Sequence, residues 1–519
     1  FTTRVQTSKG VVRGFHVDYG SDRRALFFGS ADIFLGIPFA QTPVGKLRFQ
    51  VNFDKKKIIN IIHFVASPAS MPRCATTFKP SEPSSEDCLY LNVFTPEVTG
   101  KYPVMVWIHG GAFIKGGAEA YHYKGAIRNF VSNDVVVVTI QYRLGPFGFF
   151  TTFTPEFPAN VGIFDQILAL RWIKENIGAF GGDPDQITLF GESAGAMSIS
   201  SLSLSPLARG LFNRIILNSG AGLISHYVPN DVRGSTQRLR MAQWCDVAED
   251  PISSRRARSR LQSCLASMST EDILKFDADG SEFKWFPVKD GVIFPKDPES
   301  LSRSRPPYDA LLLDMSVEYA LFASEYHSGN ISGVGRHSMK EALLDRFYGY
   351  LADEQLDQMI DILISNYKTS DLEDDDHLGW FKLVMEAISA ERYTFRGRVE
   401  AQWLKDRGSR TYLARFSYDK RICGPQSAIP GYNPTTHFCE ICYLWFSPEE
   451  WQKAANEGRI TSRDLAVAEN FARVYTQFAK DGTTGWEESG SDYRFMNIDD
   501  ALSVMGDDWN GKNKYVFKE

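Results

Sequence analysis

The stretch GDPDQITLFGESAGAMS, residues 182–198, decides the fold of this chain. Its short apolar run at 187–190 predicts a buried strand, and the small residues after Ser193 predict the start of a helix. Gly191 and Gly195 lie two residues either side of Ser193, which fits the G-x-S-x-G nucleophile elbow. Side chains at these glycines would clash where strand and helix nearly touch. The alternative is a turn without chemistry, and the strand before and the helix after favour an exposed nucleophilic hydroxyl.

Composition describes an ordinary globular protein. The chain has 519 residues, 43% of them hydrophobic, and a net charge of −6. An acidic balance argues against nucleic acid or an anionic membrane as the main partner. No run approaches 18 apolar residues, so no membrane-spanning helix is expected. Seven cysteines, a first residue that is not Met and the sequon Asn330-Ile331-Ser332 lead us to expect a secreted or secretory-pathway glycoprotein.

Apolar runs alternate with amphipathic segments along much of the chain. Continuous apolar strands are expected at 103–109 and 135–140, buried strands at 187–190 and 214–217, and further strands at 7–15, 33–39, 89–94, 310–314, 411–417 and 515–517. Crossovers of this length predict a mostly parallel twisted sheet flanked by helices. Helical character at about 221–300 and 320–405 is expected to form cap insertions. We therefore expect one α/β domain over 1–519, although length alone suggests two or more.

A nucleophilic serine needs a base and an acid, which follow it along the chain in this architecture as Asp or Glu and then His. His437 follows a predicted strand and a Pro/Gly loop, whereas His377 lies in an acidic segment and His327 and His337 in a Ser/Gly-rich loop. Position therefore favours His437 as the base.

The acid is less well defined by position. Asp314 and Glu318 both lie near the end of the strand predicted at 310–314, and their spacing does not separate them.

Candidate oxyanion donors lie in His109-Gly110-Gly111-Ala112, directly after an apolar strand. Glycines in that position let the backbone turn two N–H groups towards a nucleophile. The alternative is a simple tight turn between strand and loop.

Larger stretches of the chain resemble the type-B carboxylesterase/cholinesterase family of the α/β-hydrolase fold. The resembling stretches are EDCLYLNV at 86–93, WIHGGAF at 107–113, QYRLG at 141–145 and almost all of 160–198. The similarity covers nearly the whole chain.

The resemblance implies roles for individual residues. Ser193 would be the nucleophile and His437 the base, because His437-Phe438-Cys439-Glu440 matches the family's His motif. Glu318 would be the acid rather than Asp314, although Tyr319 stands where the family usually has Gly. The oxyanion donors would be Gly110, Gly111 and Ala194.

The resemblance also implies two local disulfides, Cys74–Cys88 and Cys245–Cys264. Of Cys423, Cys439 and Cys442, one pair is expected to bridge near His437 and leave one thiol. No metal or organic cofactor is implied.

Substrate expectations come from two stretches. The 13 residues between Cys74 and Cys88 contain no Trp, whereas cholinesterases use a Trp there to stack on the choline cation. That loop is also short for a lipase lid. Phe283 and Trp285 match the family's acyl-pocket stretch, although core aromatics are an equal alternative.

We therefore expect a serine carboxylesterase acting on soluble esters, with homo-oligomers left open. The alternatives are a lipase and a catalytically inactive adhesion protein of the same fold.

Overall fold

A computed structural model describes most of the chain. The described residues are 2–51, 61–65, 72–76, 84–221, 232–277, 285–321, 330–347, 353–366, 372–418, 422, 429–499 and 503–505. The strand predicted at 515–517 lies outside them.

The described strands form one large sheet and one small one. Their order across the large sheet is β1-β2-β3-β7-β9-β8-β10-β11-β12-β13-β14-β15, with β4 beside β2, while β5 and β6 pair separately. Their bounds are β1 Thr2–Thr7, β2 Gly10–Asp18, β3 Ser30–Pro38, β4 Ile61–Val65, β5 Arg73–Cys74, β6 Ser84–Ser85, β7 Tyr90–Thr95, β8 Tyr102–Ile108, β9 Val136–Ile140, β10 Gly182–Glu192, β11 Arg214–Asn218, β12 Asp309–Met315, β13 Thr411–Phe416, β14 Phe495–Ile498 and β15 Ser503–Met505.

The middle of the sheet is parallel, as the apolar runs predict. From β9 through β8, β10, β11, β12 and β13 to β14, every neighbouring pair is parallel. Antiparallel pairing is confined to the β1-β2-β3-β7-β9 side and to β14-β15. The carboxyl ends of the parallel strands therefore lie along one edge, where an α/β fold carries its site.

Helices cover both faces of this sheet. Their bounds are α1 Tyr123–Asn129, α2 Gly145–Phe149, α3 Val161–Asn176, α4 Ala194–Leu204, α5 Val232–Trp244, α6 Arg255–Ser267, α7 Thr270–Asp277, α8 Pro298–Ser302, α9 Arg336–Phe347, α10 Asp353–Asn366, α11 His377–Ser389, α12 Phe395–Lys405, α13 Ile441–Leu444, α14 Pro448–Asn456 and α15 Ser462–Asp481.

The position of strand β8 in the sheet explains why its sequence is apolar throughout. Val104, Val106 and Ile108 belong to the core that includes α3 and α4, while Met105 and Trp107 belong to the core that includes α1, α13 and α15. Successive side chains point to opposite faces, so a strand covered on both faces has no polar positions. This is the expected environment for the strand that leads into the His109 loop.

Two helical segments lie between sheet strands, where the sequence predicts insertions. Helices α5–α8 follow β11, and α9–α12 follow β12. The second group packs around its own apolar cluster, which includes Val317 and Tyr319 immediately after β12. That cluster anchors the loop that carries Glu318.

Two segments differ from the sequence pattern. The strand expected at 7–15 is β2, which begins only at Gly10, because the chain turns at Ser8 and Lys9 after β1 and pairs Thr7 with Gly10 in an antiparallel hairpin. Strand β14 lies in a stretch where the sequence analysis expects no strand. Its four buried residues pair with β13 on one side and with β15 on the other, and so short a run has no periodic signal.

Candidate active site

Ser193 occupies a strained turn between β10 and α4. Its φ of 54° and ψ of −124° place a non-glycine residue in sparsely populated backbone space. A Cβ built on Gly195 would lie 1.9 Å from the Ile108 carbonyl oxygen, and one built on Gly191 would lie 2.6 Å from the same atom. The flanking glycines are therefore required by close backbone approach, as the elbow pattern predicts. Ser193 remains half-buried and open to solvent.

The His109–Ala112 loop lies directly against this turn. A Cβ on Gly110 would meet Glu192 Oε2 at 2.5 Å and Ser193 Cβ at 3.1 Å. Within the described residues, the N–H groups of Gly110, Gly111 and Ala194 donate no hydrogen bond. Donors without an acceptor beside a nucleophilic hydroxyl are the arrangement that stabilises an oxyanion.

Buried contacts set the orientation of this loop. The Gly110 carbonyl accepts a hydrogen bond from Nδ1 of His109 at 2.9 Å, and the Tyr142 hydroxyl donates to the His109 carbonyl at 2.8 Å. Burial lowers the pKa of His109 to about 4, so the ring is neutral at pH 7. In a trans peptide the C=O and N–H point in opposite directions. Holding the Gly110 carbonyl against His109 therefore turns the Gly111 N–H the other way.

His437 and Glu318 meet beyond the ends of β12 and β13. His437 Nδ1 lies 2.7 Å from Glu318 Oε2, and the His437 N–H donates to the Glu318 carbonyl at 3.1 Å. The other carboxylate oxygen, Oε1, accepts the Met315 N–H at 2.8 Å. Both side chains are buried. The carboxylate thus fixes the orientation and the tautomer of the imidazole ring.

Asp314, the other acid that position allows, contacts different groups. Its carboxylate accepts two hydrogen bonds from Arg415 at 2.9 and 3.0 Å and one from the Thr394 hydroxyl at 2.9 Å. Burial raises the pKa of Asp314 although Arg415 opposes the shift. The structure therefore brings Glu318, and not Asp314, to the histidine.

A carboxylate that the sequence analysis missed lies on the other side of the imidazole. Glu192 Oε1 is 2.9 Å from His437 Nε2, and Glu192 is the residue between Gly191 and Ser193 in the elbow. Burial raises the pKa of Glu192. Burial alone would lower the pKa of His437, but Tyr393 and the two glutamates outweigh it and hold that pKa well above its ordinary value. The position of Glu192 inside the G-x-S-x-G motif is the one feature of the sequence from which this contact could have been predicted.

The Ser193 hydroxyl makes no hydrogen bond with any described residue, and Glu192 lies at the Nε2 atom that a serine would use. Hydrogen bonds between a nucleophile and its base are often long in a ligand-free enzyme and tighten with substrate. In this structure Glu192, and not Ser193, is the group that lies against Nε2 of His437.

Glu440 supports the Ser193 elbow through hydrogen bonds that run by way of Asn218. The sequence marks Glu440 only as part of the His motif. Its Oε1 accepts the Asn218 side-chain N–H at 3.1 Å, and the Tyr475 hydroxyl donates to Asn218 Oδ1 at 2.8 Å. The Asn218 carbonyl in turn accepts the Ser193 N–H at 2.9 Å. Burial, reinforced by nearby glutamates, raises the pKa of Glu440 to about 8.

The remaining predicted substrate residues are only partly described. Phe283 lies outside the described residues, while Trp285 is buried. The neighbouring Phe286 contacts Phe113, just after the oxyanion loop, with ring centres 6.1 Å apart. The segment after α7 therefore returns beside the site.

The predicted local disulfides are present, Cys74 with Cys88 and Cys245 with Cys264. Cys442 is also disulfide-bonded, Cys439 is a buried thiol, and Cys423 lies outside the described residues. Asn330 is exposed and accepts the Ser332 N–H. None of the described helices is both long and apolar enough to cross a bilayer.

Comparison with known proteins identifies the family of the chain. A family model described as the Carboxylesterase family matches residues 2–511. Carboxylesterase 1C of Rattus norvegicus is 32% identical over 93% of this chain and 86% of its own length. The medium-chain fatty acyl-CoA hydrolase precursor of Anas platyrhynchos is 29% identical over 95% of this chain and 88% of its own. Cocaine esterase of Homo sapiens is 39% identical over 52% of this chain and 49% of its own.

Proposed function

The chain belongs to the carboxylesterase family, and from this membership we propose that it hydrolyses carboxylic esters through an acyl-enzyme formed on Ser193. One observation carries the proposal. The Ser193 elbow, the unpaired N–H groups of the His109–Ala112 loop and the His437–Glu318 pair lie together at the carboxyl edge of the sheet. An inactive binding protein of the same fold would have no need to keep every one of these groups.

The proposed reaction assigns a role to each group. His437 Nε2 takes the Ser193 proton as the serine oxygen attacks the ester carbonyl carbon. Gly110, Gly111 and Ala194 donate to the negative oxygen of the tetrahedral intermediate. Losing one such donor typically costs about 3 kcal/mol of transition-state stabilisation.

The intermediate then collapses, and the leaving alcohol receives the proton from His437. A water molecule repeats the sequence on the acyl-enzyme and releases the acid. Glu318 stabilises the imidazolium in both halves, and its hydrogen bond from Met315 holds the carboxylate in place.

The position of the His437 ring relative to Glu192 decides when Ser193 is activated. With Glu192 at Nε2, the imidazolium form of His437 is favoured and the base is blocked. Catalysis requires neutral His437 with Nε2 turned to Ser193. The rate is therefore expected to rise with pH until His437 is deprotonated.

The substrate class is proposed as soluble esters with a small or flat acyl group. Trp285 is buried near Phe286, which contacts Phe113 beside the oxyanion loop, and Phe283 is assigned to the same pocket from the sequence. The relatives include an enzyme named for cocaine and another named for medium-chain fatty acyl-CoA, so a benzoate ester and a medium-chain acyl-CoA thioester are assayed beside the p-nitrophenyl esters described below.

We further propose that the protein acts as one domain in the secretory pathway or outside the cell, glycosylated at Asn330. The disulfides and the exposed sequon support this location. Size measurements would test whether it forms homo-oligomers.

The test is a panel of p-nitrophenyl esters of rising acyl length, with Ser193→Ala as the inactive control. A dialkyl p-nitrophenyl phosphate should label the wild type once, on the peptide that carries Ser193, and should leave the variant unlabelled. Absence of both hydrolysis and labelling in the wild type would favour the inactive binding protein. Rates that peak on long acyl chains would favour a lipase.

A further inference from the structure

An exposed surface on the first helical insertion is both apolar and basic. Helices α5 and α6 form a hairpin that the Cys245–Cys264 disulfide joins. Four large apolar side chains and three arginines project from this region to solvent. We call this set the hairpin patch, and its members are Phe153, Leu239, Trp244, Ile252, Arg255, Arg256 and Arg260.

The apolar part of the hairpin patch is unusual for this chain. Eight large hydrophobic residues are exposed among the described residues, and four of them belong to the patch. Leu239 is 50% exposed, Trp244 45%, and Phe153 and Ile252 38% each. Single exposed apolar residues are normal on a protein surface, whereas a concentration of them marks a contact site.

Two contacts place Phe153 with the hairpin although it is distant in sequence. The Arg238 guanidinium of α5 lies over the Phe153 ring at 5.8 Å, and Arg258 of α6 pairs with Glu156 at 3.2 Å. Phe153 also has a φ of 57°, a backbone conformation that is costly for an aromatic residue. The fold accepts this strain and still leaves the ring in water.

The arginines of the patch lie together at one groove. Arg255, Arg256 and Arg260 form no ion pair within the described residues, and they line a shallow groove of about 650 Å³ beside Cys245. The loop between α5 and α6 carries three carboxylates, those of Asp246, Glu249 and Asp250, and residues 238–260 contain six arginines, so basic groups outnumber acidic ones here.

The position of these arginines on the helix is also unfavourable without a partner. The first turn of α6 contains no acidic residue and begins with two arginines, at the end where the helix dipole is positive. One anionic group of the protein lies at this end, since Glu249 accepts the hydroxyl of the N-cap Ser254, and the remaining excess of arginine favours an anionic partner.

We propose that the hairpin patch docks the protein reversibly on anionic lipid membranes, with its aromatic and aliphatic side chains at headgroup depth and its arginines on acidic headgroups. Trp, Leu and Phe beside Arg are the composition of interfacial membrane contacts. A soluble polyanion would engage the arginines alone and leave four apolar side chains in water. The patch needs no esterase chemistry, so it stands independently of the proposed reaction.

The net charge of −6 does not prevent this contact. At physiological ionic strength the Debye length is about 8 Å, so a membrane senses mainly the charges that face it.

The experiment measures co-sedimentation of the full chain with vesicles of phosphatidylcholine alone and of phosphatidylcholine with 30% phosphatidylserine (about 7:3, chosen to give a strong surface potential). Binding is expected only with phosphatidylserine and should weaken from low to high salt. The R255S/R256S/R260S variant should bind about 100-fold more weakly, since each arginine near an anionic surface contributes about fivefold. Trp244→Ser should weaken binding by about tenfold.

The matched control is R24S/R303S/R494S, which removes the same charge from exposed positions elsewhere. It should bind within about twofold of the wild type by the screening argument above. All variants should show the far-UV circular dichroism spectrum and the melting temperature of the wild type, which reports that they fold whether or not the esterase proposal holds.

Three outcomes would overturn the proposal. The wild type could stay in the supernatant with phosphatidylserine vesicles at low salt. The control could lose as much binding as the patch variant, which would show a bulk charge effect. Binding could be unaffected by Trp244→Ser and abolished by a soluble sulfated polysaccharide, which would identify a polyanion site instead.

Discussion

Replacing Glu318 by Gln tests the site most directly, because the chain offers a matched control in Asp314→Asn. Glu318 Oε1 accepts the Met315 N–H, and Oε2 faces His437 Nδ1 at 2.7 Å. In the Gln variant the amide oxygen keeps the Met315 hydrogen bond, so the NH₂ group faces His437. Two donors cannot face each other, so the imidazole takes the other tautomer, with the proton on Nε2.

That tautomer cannot accept the Ser193 proton. For a change of this kind in a Ser-His-acid triad the loss in kcat is about 10⁴-fold, which corresponds to about 5.5 kcal/mol of activation free energy. The fold should be little affected, because the amide occupies the same volume.

Asp314→Asn is the matched control, because it also replaces a carboxylate by an amide and removes one negative charge, at a position four residues from Glu318. Asp314 binds Arg415 and the Thr394 hydroxyl, and its carboxylate is absent from the His437 contacts. Loss of a charge-assisted hydrogen bond should lower the free energy of unfolding by about 2 kcal/mol. We expect kcat to fall less than about tenfold, because the Asn variant keeps the tautomer of His437.

The assay is kcat on p-nitrophenyl acetate with active sites counted by the phosphate label, together with denaturant unfolding of both variants. Expected are an inactive but stable Glu318→Gln and an active but destabilised Asp314→Asn. A larger loss of kcat in Asp314→Asn would refute the assignment of Glu318 as the acid.

Three further predictions concern the surroundings of Ser193. Gly110→Ala should lower kcat by about 10²–10³-fold, because its Cβ would meet Glu192 and displace the donors. The control is Gly178→Ala, whose Cβ would meet nothing within 4 Å, and it should leave both kcat and the melting temperature unchanged. Glu192→Gln should lower the pKa of His437 by removing a carboxylate 2.9 Å from Nε2, so the acid limb of kcat/KM should move about one pH unit lower; an unchanged profile would contradict the contact. Glu440 has a pKa raised from 4.5 to about 8 by burial, so its ionisation opposes folding as pH rises between those values. Denaturant unfolding of Glu440→Gln should therefore match the wild type near pH 4 and show greater stability, by about 2–4 kcal/mol, near pH 9; equal stability at both would contradict the pKa.

Local patterns predicted much of the fold correctly. The apolar runs at 103–109 and 135–140 became the adjacent central strands β8 and β9, within one residue at each end. Burial on both faces makes such strands continuous in sequence, and no other element explains five consecutive apolar residues between turns. Strand β14 was missed because a strand of four residues leaves no periodicity to detect.

What the sequence by itself determined about the site is the location of its two short motifs, the elbow at Ser193 and the glycine loop at 109–112. Gly191, Ser193 and Gly195 are neighbours in the chain, and so are Gly110 and Gly111. The close approach to Ile108 that requires glycine is a property of one turn. Chemistry confined to a few consecutive residues can be recognised without the fold.

Only the tertiary structure decided which carboxylate serves the histidine. Glu318 and His437 are 119 residues apart, and Asp314 and Arg415 are 101 apart. Asp314 lies near the end of β12, and Glu318 follows it by four residues, after the chain has turned. Their positions in the sequence therefore do not show which carboxylate points towards His437. Pairing of β12 with β13 brings Arg415 beside Asp314, while hydrogen bonds from Ser316 and Val317 to Thr435 hold the two loops together and turn Glu318 towards His437.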